Sequence, residues 1–131
     1  MEALHKSLKS ALRQGARASR LLRYSPDLIE LLCSEEDHPE LTIYDRAIQA
    51  EDLIRTAIQR IGGDYGQAAE ILFALKAGTL GLKLDERRRM AGALFEIDGD
   101  TFRRPRWEGQ LVWDVAVEVY RAWLICDREQ R

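Results

Sequence analysis

The run from about Trp107 to Asp127 constrains the fold more than any other part of the chain. Coiled as a helix, it confines Gln110, Asp114, Glu118 and Arg121 to one narrow polar strip. Leu111, Val112, Val115, Ala116, Val119, Tyr120, Trp123, Leu124 and Cys126 take most of the remaining circumference. A helix this apolar must be largely enclosed, either at the centre of a bundle or with part of its face left for a second subunit. Tyr120 and Trp123 are expected in the core, and Trp113 and Val117, nearer the polar strip, at such a contact.

The rest of the sequence supplies the enclosing helices. A first helix is expected from about Glu2 to Tyr24, with Leu4, Leu8, Ala11, Leu12, Gly15, Ala18 and Leu22 on its apolar side, and the small residues around Gly15 imply a close crossing there. Ser25, Pro26 and Asp27 form a helix start, with Leu28, Ile29, Leu31 and Leu32 to be buried. Thr42 with Asp45 opens a third helix that Gly62-Gly63 stops, and Asp64 with Gln67 caps a fourth that runs towards Gly78. Residues 79–84 form a linker. With 131 residues, 46% hydrophobic and 32% charged, the chain can enclose one core without disulfides or metal. The expected fold is all-α, a single-domain bundle of six or seven helices over residues 1–131.

Charge divides the chain into three regions: a basic helix (1–24), an acidic helical region (25–78) and a nearly neutral remainder (79–131). Lys6, Lys9, Arg13, Arg17, Arg20 and Arg23 face Glu2 alone in the first, whereas residues 25–75 carry eleven acidic and three basic residues. The basic face reads most simply as a solvated surface packed near the acidic middle. Otherwise Lys6, Lys9, Arg13, Arg17 and Arg20 form a surface for nucleic acid or anionic lipid, and a targeting peptide is the remotest reading. No apolar run approaches the roughly 20 residues needed to cross a bilayer. Cys33 and Cys126, each within an apolar helix pattern, are expected to be buried reduced thiols, which suits the cytoplasm.

Residues 84–107 read as two short helices joined by a tight turn, with cations at both ends. The run Ala91-Gly92-Ala93-Leu94-Phe95-Glu96-Ile97-Asp98-Gly99-Asp100-Thr101-Phe102-Arg103-Arg104 resembles the helix-turn-helix core of bacterial DNA-binding regulators. The resemblance implies helix-turn-helix-like packing in the C-terminal half. Ala91, Leu94, Ile97 and Phe102 would join the helices, Asp98 would cap, and Thr101, Arg103 and Arg104 would face a duplex. The longer span from Leu84 through Tyr120 is similar to an uncharacterised helical domain of actinobacterial proteins, for which no activity follows. Glu96 stands where the pattern has glycine, and Pro105 limits the second helix to about one and a half turns.

Three classes of function follow. The lead is a non-catalytic regulatory or adaptor module that binds another protein through charged helical surfaces, with self-association into a homo-dimer as one form. Its partner-binding candidates are Arg87, Arg88, Arg103, Arg104, Arg106, Trp107 and Trp113, since arginine and tryptophan dominate the energetic centres of interfaces. The alternative is a DNA-binding transcriptional regulator. The third is a small enzyme, for which no catalytic constellation, phosphate loop or cofactor motif is present. Cys33 and His38 lack the further ligands a zinc site needs, so no metal or cofactor is expected.

Overall fold

The computed structural model describes residues 1–130. Among these the chain is all-helical, with eight α-helices: α1 (Glu2–Ala11), α2 (Ala18–Tyr24), α3 (Pro26–Leu32), α4 (Ile43–Ile61), α5 (Gly63–Leu72), α6 (Leu84–Ala93), α7 (Gly99–Phe102) and α8 (Gln110–Gln130). A short π-helical turn, Pro105–Gly109, leads into α8. No described helix is long and apolar enough to cross a membrane. The bundle forms around α4 and α8, its most extensive helix pair. Ile54 and Ala57 of α4 and Val112, Val115 and Val119 of α8 are almost fully buried. Burying the isoleucine and the valines stabilises by about 2 kcal/mol each.

The expected helix over Glu2 to Tyr24 is broken in two. Gly15 sits at φ +92°, and its N–H caps α1 on the Ala11 carbonyl at 2.8 Å. A Cβ at this position would lie 2.9 Å from Ala74 Cβ and 3.2 Å from the Phe73 carbonyl oxygen. Ala16 N–H donates to that same Phe73 carbonyl at 2.9 Å. The small residues therefore do mark a close crossing, against the end of α5, and the crossing itself ends the helix.

Thr42 caps α4 as expected: its Oγ1 accepts from Asp45 N–H at 3.1 Å and donates to Asp45 Oδ2 at 3.0 Å. Gly62, at φ +64°, closes α4 and is itself the N-cap of α5, so Asp64 falls inside the first turn instead of capping it. Ser25 makes no side-chain cap, although Pro26 does occupy the first turn of α3. Helix α5 ends at Leu72, well before Gly78, because Ala74 adopts a left-handed conformation (φ +58°) and the Leu75 and Lys76 amides return to the Glu70 carbonyl. Near the C-terminus, Tyr120 and Cys126 are exposed, not buried: Val119 and Ala122 take the enclosed face of α8 at the level of Tyr120, whose ring is on the opposite side.

Candidate partner surfaces

Arg87 is 1% exposed, the bulkiest of the fully buried side chains. Its Nε donates to the Leu82 carbonyl at 3.2 Å, Nη2 to the Arg13 carbonyl at 2.9 Å and Nη1 to the Leu72 carbonyl. One guanidinium thus ties together the end of α1, the end of α5 and the segment before α6. Desolvation holds its pKa below the ordinary arginine value, with the nearby charges of Arg88 and Arg20 adding to the shift. Arg87 therefore cannot serve as a partner-binding residue.

Arg88 turns the other way and grips Glu108 through two parallel bonds, Nε to Oε1 at 2.7 Å and Nη2 to Oε2 at 3.0 Å. These bonds raise its pKa, against the opposing effect of burial. The pair clamps α6 to the π-helical turn before α8. Trp107 packs on Phe95 with ring centroids 5.1 Å apart, and Phe95 packs on Tyr65 at 4.8 Å. It is a half-buried part of an aromatic row, not a free anchor.

Between α6 and α7 the chain turns tightly. Glu96 takes a left-handed conformation at φ +58°, and Asp98 Oδ1 accepts from Thr101 N–H at 2.7 Å to start α7. Ala91 and Phe102 are buried, while Leu94 and Ile97 pack against the core from its edge. Helix α7 is only 4 residues long. Arg103, Arg104 and Arg106 are exposed and, among the described residues, take part in no ion pair. They do not converge. Arg103 shares a cleft of about 390 Å³ with Arg88, Arg89 and three aspartates, Asp85, Asp98 and Asp100, whereas Arg106 lines a separate cleft with Trp107 and Tyr65.

The N-terminal cations do not pair with the acidic middle: no salt bridge among the described residues involves Lys6, Lys9, Arg13, Arg17, Arg20 or Arg23. Arg17 instead donates to the Ala74 carbonyl at 3.0 Å and to the Leu75 and Lys76 carbonyls at 3.4 Å, which removes it from the anionic-surface candidates. The acids of the middle are used locally. Glu51 accepts from Ala18 N–H at 2.7 Å and from Arg55, Glu30 holds the buried Arg46, and Asp27 accepts from Ser7. Lys6 and Lys9 remain exposed on α1. Arg13 and Arg20 come together with Lys83 and Arg88 around a cleft of about 690 Å³, a grouping that the assumption of one continuous helix concealed.

On α8, Trp113 is 39% and Tyr120 40% exposed, with Val117 and Leu124 half-exposed. These four positions recur at i, i+4, i+7 and i+11 and so share one stripe of the helix, turned away from the buried face. His5 of α1 borders the stripe, edge-on to Trp113 at 5.1 Å. Sequence reading found Trp113 and Val117 but placed Tyr120 in the core. It also missed Tyr44 and Ile48, exposed at i and i+4 on α4, where Glu51 and Arg55, joined to each other, end the apolar continuity.

A further cleft, of about 290 Å³, brings His38, Asp52, Cys126 and Asp127 near one another. No group of three or more side chains among the described residues is arranged to hold a metal. Burial pushes the Cys33 thiol upward in pKa, against the opposing charge of Arg46, so this cysteine is a poor nucleophile. Comparison with protein-family models, with curated proteins and with solved structures gave no significant match.

Proposed function

We propose that this protein is a non-catalytic adaptor or regulatory module whose α8 is its contact surface, and that the first partner of α8 is a second copy of the same helix. The observation that carries this reading is the stripe of Trp113, Val117, Tyr120 and Leu124 on a helix otherwise committed to the core. Its spacing is that of a coiled-coil seam.

Charge favours a two-fold, antiparallel pairing. Asp114 and Arg121 flank the stripe on the same side, one heptad apart. A two-fold axis between Val117 and Tyr120 brings Asp114 of each copy near the partner's Arg121, and the contact occurs twice. A parallel pairing would set these residues beside Gly109 and Ala116 and gain no ion pair.

The test is the mass of the full chain in solution across a concentration series. The reading expects a dimer that dissociates on dilution. Asp114→Arg should weaken it about fivefold, given two surface pairs of about 0.5 kcal/mol each, and the added Arg121→Asp should restore it. A monomer at every concentration would sink the reading, and so would a dimer indifferent to Trp113→Glu.

A second reading, duplex DNA binding, draws on the unpaired Arg103, Arg104 and Arg106 around α7. A one-turn helix offers few side chains to base edges, so such binding would rest on phosphate contacts and fall steeply with salt. Loss of duplex binding in an Arg103→Ala, Arg104→Ala variant would support it, and no binding at low salt would remove it.

A further inference from the structure

The cleft between the α1–α2 turn and the start of α6 holds more positive charge than the protein itself neutralises. Its volume is about 690 Å³, and Arg13, Arg20, Lys83, Arg87 and Arg88 line it with Asp85 as their one carboxylate. Asp85 lies 3.4 Å from Arg88, and Glu108, just outside, is already held by both arms of the same arginine. The Arg13 and Lys83 side chains have no hydrogen-bond or ion-pair partner among the described residues, and Arg20 makes only a 3.5 Å contact with Gln14 Oε1.

Arg87 sets the chemistry of the cleft floor. Its three donor nitrogens are all bonded to carbonyl oxygens, so it is fixed in place with no carboxylate bonded to it, and Glu108, held by Arg88, offsets only part of its charge. A buried, fixed cation with exposed, unpaired cations at the rim is the arrangement that a multiply charged oxyanion stabilises. The mutual pressure of Arg88 and Arg20 on Arg87 has the same origin.

From this geometry we infer that the cleft is a binding site for a phosphate-bearing small molecule, with Arg13, Arg20 and Lys83 as the groups that close on the phosphate oxygens and Arg87 contributing only its fixed, buried charge beneath them. The site is independent of α8 and does not require self-association. Inorganic pyrophosphate and a nucleoside monophosphate share the chemistry, and the two can be compared directly.

The experiment is calorimetric titration of the full chain with pyrophosphate and, separately, with AMP, at an ionic strength held constant with potassium chloride. One saturable site is expected. An Arg13→Ala, Lys83→Ala variant should bind at least about tenfold more weakly, and a Lys6→Ala, Lys9→Ala variant, which removes equal charge elsewhere, should stay within about twofold. Circular dichroism should show unchanged helix content in both, since all four side chains are exposed. Tighter binding of AMP than of pyrophosphate would place a nucleoside in the cleft, and the reverse would make the phosphates alone the ligand. Absence of saturable heat would overturn the inference. So would equal weakening in the two variants, or binding of duplex DNA without binding of either small phosphate.

Discussion

Arg87 shows how a charged side chain can act as a core residue. Three carbonyls from three separate segments accept from it. Arg87→Met keeps the volume and removes the donors, so it should destabilise the fold by about 3 kcal/mol in urea unfolding. Arg87→Lys should recover only part of the loss, because one ammonium cannot span acceptors that a planar fork spans. A change below about 0.5 kcal/mol for the methionine variant would mean that water replaces the guanidinium. Its neighbour calls for a different measurement. Arg88 and Glu108 form a mostly enclosed two-bond pair, with side chains 19% and 9% exposed. A double-mutant cycle on Arg88→Ala and Glu108→Ala should return a coupling of about 1–2 kcal/mol, above the usual range for exposed pairs. Coupling near zero would show that the clamp is not needed to hold α6 against the turn before α8.

At the level of elements, the turn between α6 and α7 is tightly packed against the helix before it. Helix propensity alone favours Gly92→Ala by about 1 kcal/mol. Packing reverses the sign: the added Cβ would meet the Ile97 carbonyl oxygen at 2.7 Å and the Asp98 carbonyl oxygen at 3.1 Å. These are backbone atoms, so the whole turn must shift, and the net effect should be a loss of about 1–3 kcal/mol. A more stable Gly92→Ala protein would show that α7 can move away freely. Asp98 adds a dependence on pH. The Thr101 backbone bond, followed by the Thr101 side chain, holds its pKa below the ordinary 3.8. A folded pKa below the unfolded one gives stability that is present above pH 3.8 and lost as pH falls through the folded value. Asp98→Asn should therefore flatten the stability curve on the acid side of pH 4, measured by thermal melts from pH 7 downward. A curve parallel to that of the unaltered protein would remove the cap from the account.

For the whole molecule, the parts legible in the sequence were those governed by neighbours along the chain. The all-α class, the Thr42 cap, the Gly62 stop and the Asp98 cap each depend on residues within one helical turn. What stayed hidden depended on distant partners. The break at Gly15 is forced by Phe73 and Ala74, the inward turn of Arg87 by carbonyls 5, 15 and 74 residues away, and the grouping of Arg13, Arg20 and Lys83 by that break. These long-range ties also make the molecule one cooperative unit. Arg87 joins the end of α1 to the approach to α6, Arg17 joins the start of α2 to the residues after α5, and the α4–α8 core is common to both halves. Unfolding should therefore be two-state, with tryptophan fluorescence and far-ultraviolet circular dichroism following one urea curve. Trp107, Trp113 and Trp123 report on the region around α8, whereas circular dichroism weights every helix. An early loss of ellipticity with unchanged fluorescence would mean that α2 and α3 open before α1, which His5 holds against Trp113, and that the Arg17 tie is weaker than its geometry implies. Coincident curves in the unaltered protein that separate in Arg87→Met would identify this one side chain as the link between the N-terminal helices and the rest.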